Sequence, residues 1–372
     1  MKITKVEAIH LSLAQTREIA DGTQDALIVK VHTDEGIVGI GDAHSSPHVI
    51  KAIIEAPLSH LLCSGLARLI VGEDPLQRER LWHRMYRHSL FYGRRGAAIH
   101  AISGIDTALW DIAGKAVGQP IYKLLGGGFC EKVRAYASVL FGDTPEETAE
   151  RAREAKQRGF TAAKFGWGPI GQDLKTDLAH LAAAREALGN DIDLLVDIGC
   201  LWDAKTAIQR AKAFEQFNIF WLEEPLPPDD LDGYARLSQA TNVRIAAGEE
   251  ESTRWGFADL MDRGKIDIVQ PDVARAGGLS ESMRIAYMAH QRNKPCVPHA
   301  WGTESIIATS LHLIASIPNH LFLEYCIAKS PLRDDLFRNP CKFENGYAYV
   351  PQGPGLGVEL DEEVVEKYRV QQ

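Results

Sequence analysis

The sequence predicts an α/β protein built around a closed parallel barrel, with an α+β region ahead of it. Three observations carry this. From Val133 onward, short apolar runs alternate with amphipathic helical stretches. Three of those runs, in LLVD, FWLEEP and RIAAGEE, reach a carboxylate at the strand end, and these acids (Asp197, Glu223, Glu249) are spaced 26 residues apart each time. That interval is about one strand, one helix and two loops. Before Val133 the rhythm differs: alternating strands come first, then helices.

In order, residues 1–42 read as an antiparallel meander. ITKVEAIHLSL alternates, ALIVKVHTDEG is a strand running into a turn, and IVGIGDA is a third strand. The polar segment from Ala14 to Asp25 is too long for a tight turn and is expected to cover a site. AHSSPH, with His44 and His48, follows the third strand. Periodicity then turns helical, most clearly in AAIHAISGIDTALWDIAGKAVGQP. There Ile99, Ile102, Ile105, Leu109, Ile112 and Ala116 share one face, and Gly118 with Pro120 supplies the stop. LGGG at 125–128 marks a boundary. Beyond it VRAYASV, TAAKF, LLVD, FWLEE, RIAAGE, IDIVQPD, KPCVPH and HLFLEY are the barrel strands, joined by right-handed crossovers. The tail (YAYVPQGPGLGVEL) is expected to have no barrel partner left and to pack on the N-terminal region. The expected division is 1–128, 129–334 and 335–372.

At 45% hydrophobic and 24% charged residues, 372 residues can bury a large core. The net charge of −9, with no Lys/Arg block, argues against a nucleic acid or an acidic membrane as partner. Six cysteines without a CxxC pair fit reduced thiols. MKITKVEAIHLSL has no apolar signal core, and no run approaches the ~18 apolar residues of a membrane span. A cytoplasmic, soluble protein is expected.

The strand ends carry the chemistry. They are Lys164, Asp197, Glu223, Glu249, Asp272, His299 and Glu324: seven consecutive strands, each ending in an ionisable group. A lone acid at a strand end is more often a helix cap or a solvated loop residue. Seven together point to one site on the rim where parallel barrels place their catalytic groups. Three mutually repelling carboxylates are most simply relieved by a hard divalent cation, here Mg2+.

SGIDTALWDIAGK at 103–115, WLEEP, GEE, QPDVARAGG at 270–278, VPHAWG and LEYC together resemble the enolase superfamily, specifically its mandelate racemase branch, over nearly the whole chain. The resemblance implies a modified TIM (β/α)7β barrel with an α+β capping domain formed by the N-terminal region and the C-terminal tail. It makes Asp197, Glu223 and Glu249 the Mg2+ ligands, Asp272 and His299 a catalytic dyad, and Glu324 the acid facing the far oxygen of the substrate carboxylate. Lys164, in the apolar AAKFGWG, is expected to have its pKa lowered by those neighbours and to act as a base across from His299. Glu224 and Glu250 would point away from the ion. A homo-oligomer is also implied.

The chain departs from the branch in two places. Lys164-Phe165-Gly166 lacks the second lysine of Lys-x-Lys, and Gly199 stands where relatives often have Asn or His. Asp272-Val273-Ala274-Arg275 lacks the sixth-strand lysine of the muconate cycloisomerases. The implied chemistry is removal of the proton α to a carboxylate, followed by β-elimination. With a hydroxyl leaving group this is an acid-sugar dehydratase giving a 2-keto-3-deoxy acid. With a ring oxygen it is a cycloisomerase acting on a lactone or anhydro sugar acid, of the galactarolactone or 3,6-anhydrogalactonate type, which KFGWGP resembles. His44, Trp301 and Arg94 are candidate polyol contacts. Two other classes stay open: a Schiff-base aldolase using Lys164, and a non-catalytic barrel.

Overall fold

Three strands, β1 (Ile3–Ser12), β2 (Asp25–Thr33) and β3 (Val38–Asp42), pair antiparallel in chain order in the computed structural model, which describes residues 1–371. The 21-residue helix Ala97–Val117 lies across this sheet. Its approach to β3 is so close that a Cβ at Gly39 or Gly41 would fall 2.1 Å from the carbonyl oxygen of Ala108 or Gly104. Only glycine fits there. The helix ends at Gly118 in the left-handed region, φ 65°, whose N–H bonds back to Gly114 and Lys115. This packing aims the end of β3, with Asp42 and His44, over the barrel mouth.

The barrel runs through β4 (Lys132–Leu140), β5 (Ala162–Gly166), β6 (Asp193–Asp197), β7 (Ile219–Glu223), β8 (Arg244–Ala247), β9 (Ile268–Val269) and β10 (Leu323–Cys326). All seven are parallel, in the order β10-β4-β5-β6-β7-β8-β9. The expected strand in KPCVPH forms no ladder. It is tied in by single bridges, Val269 to Cys296 and Cys296 to His320. The reason is local: Pro295 and Pro298 remove two N–H donors, which leaves Val297 N bonding to Val269 O and Cys296 N to Asn319 O. The barrel is therefore not closed by a continuous ladder.

Inside it, Tyr136, Leu195, Trp221, Ile268, Val297 and Phe322 form a separate buried cluster. The next inward positions along the same strands are Ser138, Asp197, Glu223, Gln270, His299 and Glu324.

The tail differs from expectation. β12 (Tyr347–Tyr349), in a hairpin with β11 (Phe343–Glu344), pairs antiparallel with Lys132–Arg134 of β4. β4 has nine residues, so its first three can pair with β12 while Ala135 to Ser138 pair with β10. Beyond the hairpin the tail does reach the N-terminal sheet and helix. Leu356 N donates to Asp111 (2.9 Å), and Lys30 Nζ lies 2.6 Å from Glu362. All six cysteines are free thiols, and no helix among the described residues is long and apolar enough to cross a membrane.

Candidate active site

The register of adjacent strands sets Gly166 beside Asp197 and Asp197 beside Glu223. Parallel pairing thus brings residues far apart in sequence to one rim. The carboxylates of Asp197, Glu223 and Glu249 present oxygens all within 4.8 Å of one another, and all three residues are buried. Gly199 N donates to Asp197 (2.9 Å), and the indole N–H of Trp221 donates to Glu223 (2.8 Å).

Lys164 leans into this trio, with Nζ 2.5 Å from Glu223 Oε1, 2.9 Å from Glu324 Oε1 and 3.8 Å from Asp197 Oδ2. Burial alone would lower the lysine's pKa, but Glu223 and Glu324 outweigh it and hold it well above the ordinary value. Glu324 is placed by Ser138 Oγ (2.7 Å) and Ala300 N (2.8 Å). Burial pushes its carboxyl up, yet Lys164 and His299 hold it at about 2.

His299 Nδ1 sits 2.8 Å from Asp272 Oδ2, and its Nε2 is 3.3 Å from Glu249 and 3.8 Å from Glu324. Burial opposes its charge, but Glu249, Glu324 and Asp272 raise it to about 10. Asp272, despite burial, is held far below the carboxylate range by hydrogen bonds to His299 and His44 and by Arg275. The dyad is thus an ion pair, and the free edge of the imidazole faces the trio.

The charges do not balance. Asp197, Glu223, Glu249, Asp272 and Glu324 face Lys164, Arg275 and His299, a surplus of two negative charges. Burial, then Glu223, pushes Asp197 well above its ordinary pKa, as expected of an acid without enough cation nearby. Glu224, pushed up to about 8 by burial and Glu249, is protonated at neutral pH and adds nothing to the surplus. An all-oxygen donor set with two uncancelled charges fits a hard divalent ion.

Lys164, Asp197, Glu249, Arg275, His299 and Glu324 line a cavity of about 420 Å³, which His44 and Trp301 also line. Arg94 does not. It ends the helix Arg78–Gly93 on the exposed surface, and the arginine on the cavity wall is Arg275 instead. Arg275 lies 3.5 Å from Glu249, 3.8 Å from Glu250 and 3.4 Å from Asp272, and donates to the His44 carbonyl (3.0 Å). Its signal was present in QPDVARAGG, three residues past Asp272. Glu250 also lines the cavity rather than turning from it, whereas Glu224 is buried behind, accepting from Gly248 N and the Cys200 thiol.

Two glycines explain the departures from the branch. A Cβ at Gly166 would lie 3.0 Å from Asp197 Cβ and Oδ2, so a second lysine there would press on that acid. Gly199, at φ 64°, is covered by the Trp167 ring, to which a Cβ would come within 2.9 Å. The indole occupies the space of the missing side chain. The segment Ala14 to Asp25 does cover the site, with Ile19, Ala20, Asp21 and Gly22 on the cavity wall.

Comparison with known proteins agrees with this geometry. Residues 4–126 match the mandelate racemase/muconate lactonizing enzyme N-terminal domain, and residues 147–364 match the enolase C-terminal domain-like family. The D-galactarolactone cycloisomerase of Agrobacterium fabrum is 35% identical over 356 residues, covering 92% of this chain and 91% of the relative. The arabinonate dehydratase of Saccharolobus solfataricus is 35% identical over 357 residues, covering 94% and 92%. The crystal structure of the 3,6-anhydro-D-galactonate cycloisomerase from Zobellia galactanivorans superposes with a TM-score of 0.91 at 37% identity over all of both chains. With both halves matched and relatives of this similarity along nearly its full length, the chain belongs to the mandelate racemase/muconate lactonizing enzyme family of the enolase superfamily.

Proposed function

We propose that the protein removes the proton α to the carboxylate of a sugar acid and then eliminates the β-oxygen, with Mg2+ as cofactor. The observation that carries this reading is the common cavity: Lys164 and His299 both face the space beside Asp197, Glu223 and Glu249. The acid trio would hold the ion, which when bound supplies positive charge to the oxygens of the substrate carboxylate.

The chain's own residues do the rest. Glu324, fixed by Ser138 and Ala300, would meet the far carboxylate oxygen and, once it carries a proton, donate to it as charge develops with departure of the α-proton. One of Lys164 and His299 would take that proton in its neutral form, which requires the bound cation to offset the carboxylates that hold both groups charged in the metal-free site. His299, held protonated by Asp272, can give its Nε2 proton to the departing oxygen. His44 and Trp301 contact the polyol. A hydroxyl leaving group gives a 2-keto-3-deoxy acid.

The second reading is ring opening of a lactone or anhydro sugar acid by the same steps. It is favoured by likeness to the two cycloisomerases, of which one is named for D-galactarolactone and one for 3,6-anhydro-D-galactonate. The Schiff-base aldolase is weakened by the two carboxylates on Lys164 Nζ, which favour an ammonium over a nucleophilic amine.

The test is 2-keto acid formation from a library of sugar acids, lactones and anhydro acids with and without Mg2+. Chelation should abolish turnover, and borohydride should trap nothing; the opposite pair of results assigns the aldolase. Deuterium exchange at C2 in His299→Asn assigns the base: retained exchange means Lys164, lost exchange means His299. A homo-oligomer is part of the same proposal, checked by sedimentation velocity.

A further inference from the structure

We infer that the substrate is a monocarboxylate whose end remote from the acid trio is uncharged, and that Asp21 selects against a second carboxylate there. The inference rests on the reading above, in which the acid group is anchored at Asp197, Glu223 and Glu249.

Every cation on the cavity wall is already engaged at the anchored end. Lys164 is taken by Glu223 and Glu324, and His299 by Asp272. Arg275 has carboxylate oxygens of Glu249, Glu250 and Asp272 within 4 Å. His44 Nδ1 lies 3.3 Å from Arg275 Nη2, which can only donate. The same Nδ1 lies 3.7 Å from Asp272 Oδ2, so this ring nitrogen too is taken up at the anchored end. Among the described residues no other Lys, Arg or His lines the cavity.

The covering side has the opposite character, with Ile19, Ala20, Asp21, Gly22, Trp167 and Trp301. Asp21 Oδ1 accepts from Thr23 N (3.0 Å), Thr23 Oγ1 (2.8 Å) and Trp301 Nε1 (3.4 Å), all uncharged donors. A second substrate carboxylate would meet this anion in a partly dry cavity, where repulsion is poorly screened. Hydroxyls and ring oxygens suit the same wall. The hydroxyls can donate to Asp21 and exchange a hydrogen bond with His44 Nε2, and sugar C–H faces can lie on the two indoles. His44 Nε2 is kept clear by Gly22, where a Cβ would lie 2.7 Å away.

The test pairs each monoacid with its diacid in the Mg2+-loaded enzyme: D-galactonate with galactarate and D-gluconate with D-glucarate. The 1,4-lactone of galactarate joins the panel, because ring closure removes one charge. Turnover and calorimetric binding are both read. Open diacids should fall at least about 100-fold below their partners in kcat/KM or affinity, and lactone closure should restore most of that. Asp21→Asn, which keeps the acceptor for Thr23, should raise the diacid-to-monoacid ratio about tenfold, and Ala20→Arg should do the same by adding a cation.

Diacids handled as well as monoacids, or ratios unmoved in both variants, overturn the inference. Selective monoacid binding without turnover would sink the proposed reaction and leave this inference standing. Equal or absent binding of both classes sinks it.

Discussion

Two layers of the same barrel, one step of inward-facing residues apart, have opposite characters. The lower layer, with Tyr136, Trp221 and Phe322, packs aromatic edges against faces at centroid distances of 5.5 to 6.0 Å. The upper layer, with Asp197, Glu223 and Glu324, crowds like charges that burial makes costly. Both use the same strands and the same pleat. The lower layer stabilises the fold, and the upper one sacrifices stability for chemistry, so mutations in the two should have opposite thermodynamic signs.

The largest effect breaks the upper layer. Asp197→Asn should lower kcat/KM by about 1000-fold or more, since a ligand for the metal is lost. The metal-free variant should nevertheless melt higher than the metal-free parent, because one buried charge of the surplus is gone. Differential scanning calorimetry in chelator checks the sign. In the lower layer Trp221→Ala should cost about 3–5 kcal/mol in chemical denaturation. Trp221→Phe separates the layers: packing is largely kept, but Glu223 loses its indole donor, and Mg2+ affinity should weaken about tenfold by titration calorimetry.

A pair of buried imidazoles sharpens the contrast through pH. Carboxylates hold His299 up at about 10, whereas burial alone pulls His312 down to about 4. His312 accepts from Tyr122 N (3.3 Å) and donates to Leu356 O (3.1 Å), so its neutral form is fully bonded. Its folded pKa lies below the ordinary 6.5. Its stabilisation is therefore complete above that value and is lost as pH falls from there toward about 4. The slope is on the order of 1 kcal/mol per pH unit. His312→Gln should flatten it in urea titrations across this window.

The smallest effect is at Gly199→Ala. It meets both a positive φ and the Trp167 ring, and should cost about 1 kcal/mol while raising KM for the sugar acid.

The parts of the molecule legible from sequence are those that depend on local periodicity. Each barrel strand is short and apolar, and parallel pairing brings strand ends to one rim, so Lys164, Asp197, Glu223, Glu249, Asp272, His299 and Glu324 could be read as one set and do line or adjoin one cavity. What failed depends on direction. As a capping-loop residue Arg94 is expected at the site, but it caps the end of the helix Arg78–Gly93 on the exposed surface. Arg275 was overlooked because the loop after Asp272 folds back, Ala276 N bonding to Asp272 O (2.7 Å), which no repeating pattern announces. Two prolines dissolved the expected seventh ladder, and the unusual length of β4 gave the tail a partner that strand counting had denied it.

The pairing of β4 with two strands made long after it has a consequence for how the protein comes into being. A growing polypeptide emerging from the ribosome has all three acids of the trio once residue 249 is out, but the strand bearing Glu324 must travel back to one that begins at residue 132. Until then β4 offers a bare row of amide and carbonyl groups, and pairings of such long range form slowly. The hairpin strand through Tyr349 comes later still and pairs with Lys132 to Arg134, at the start of β4. Chains stalled before that point would present an unfinished sheet to chaperones and to one another.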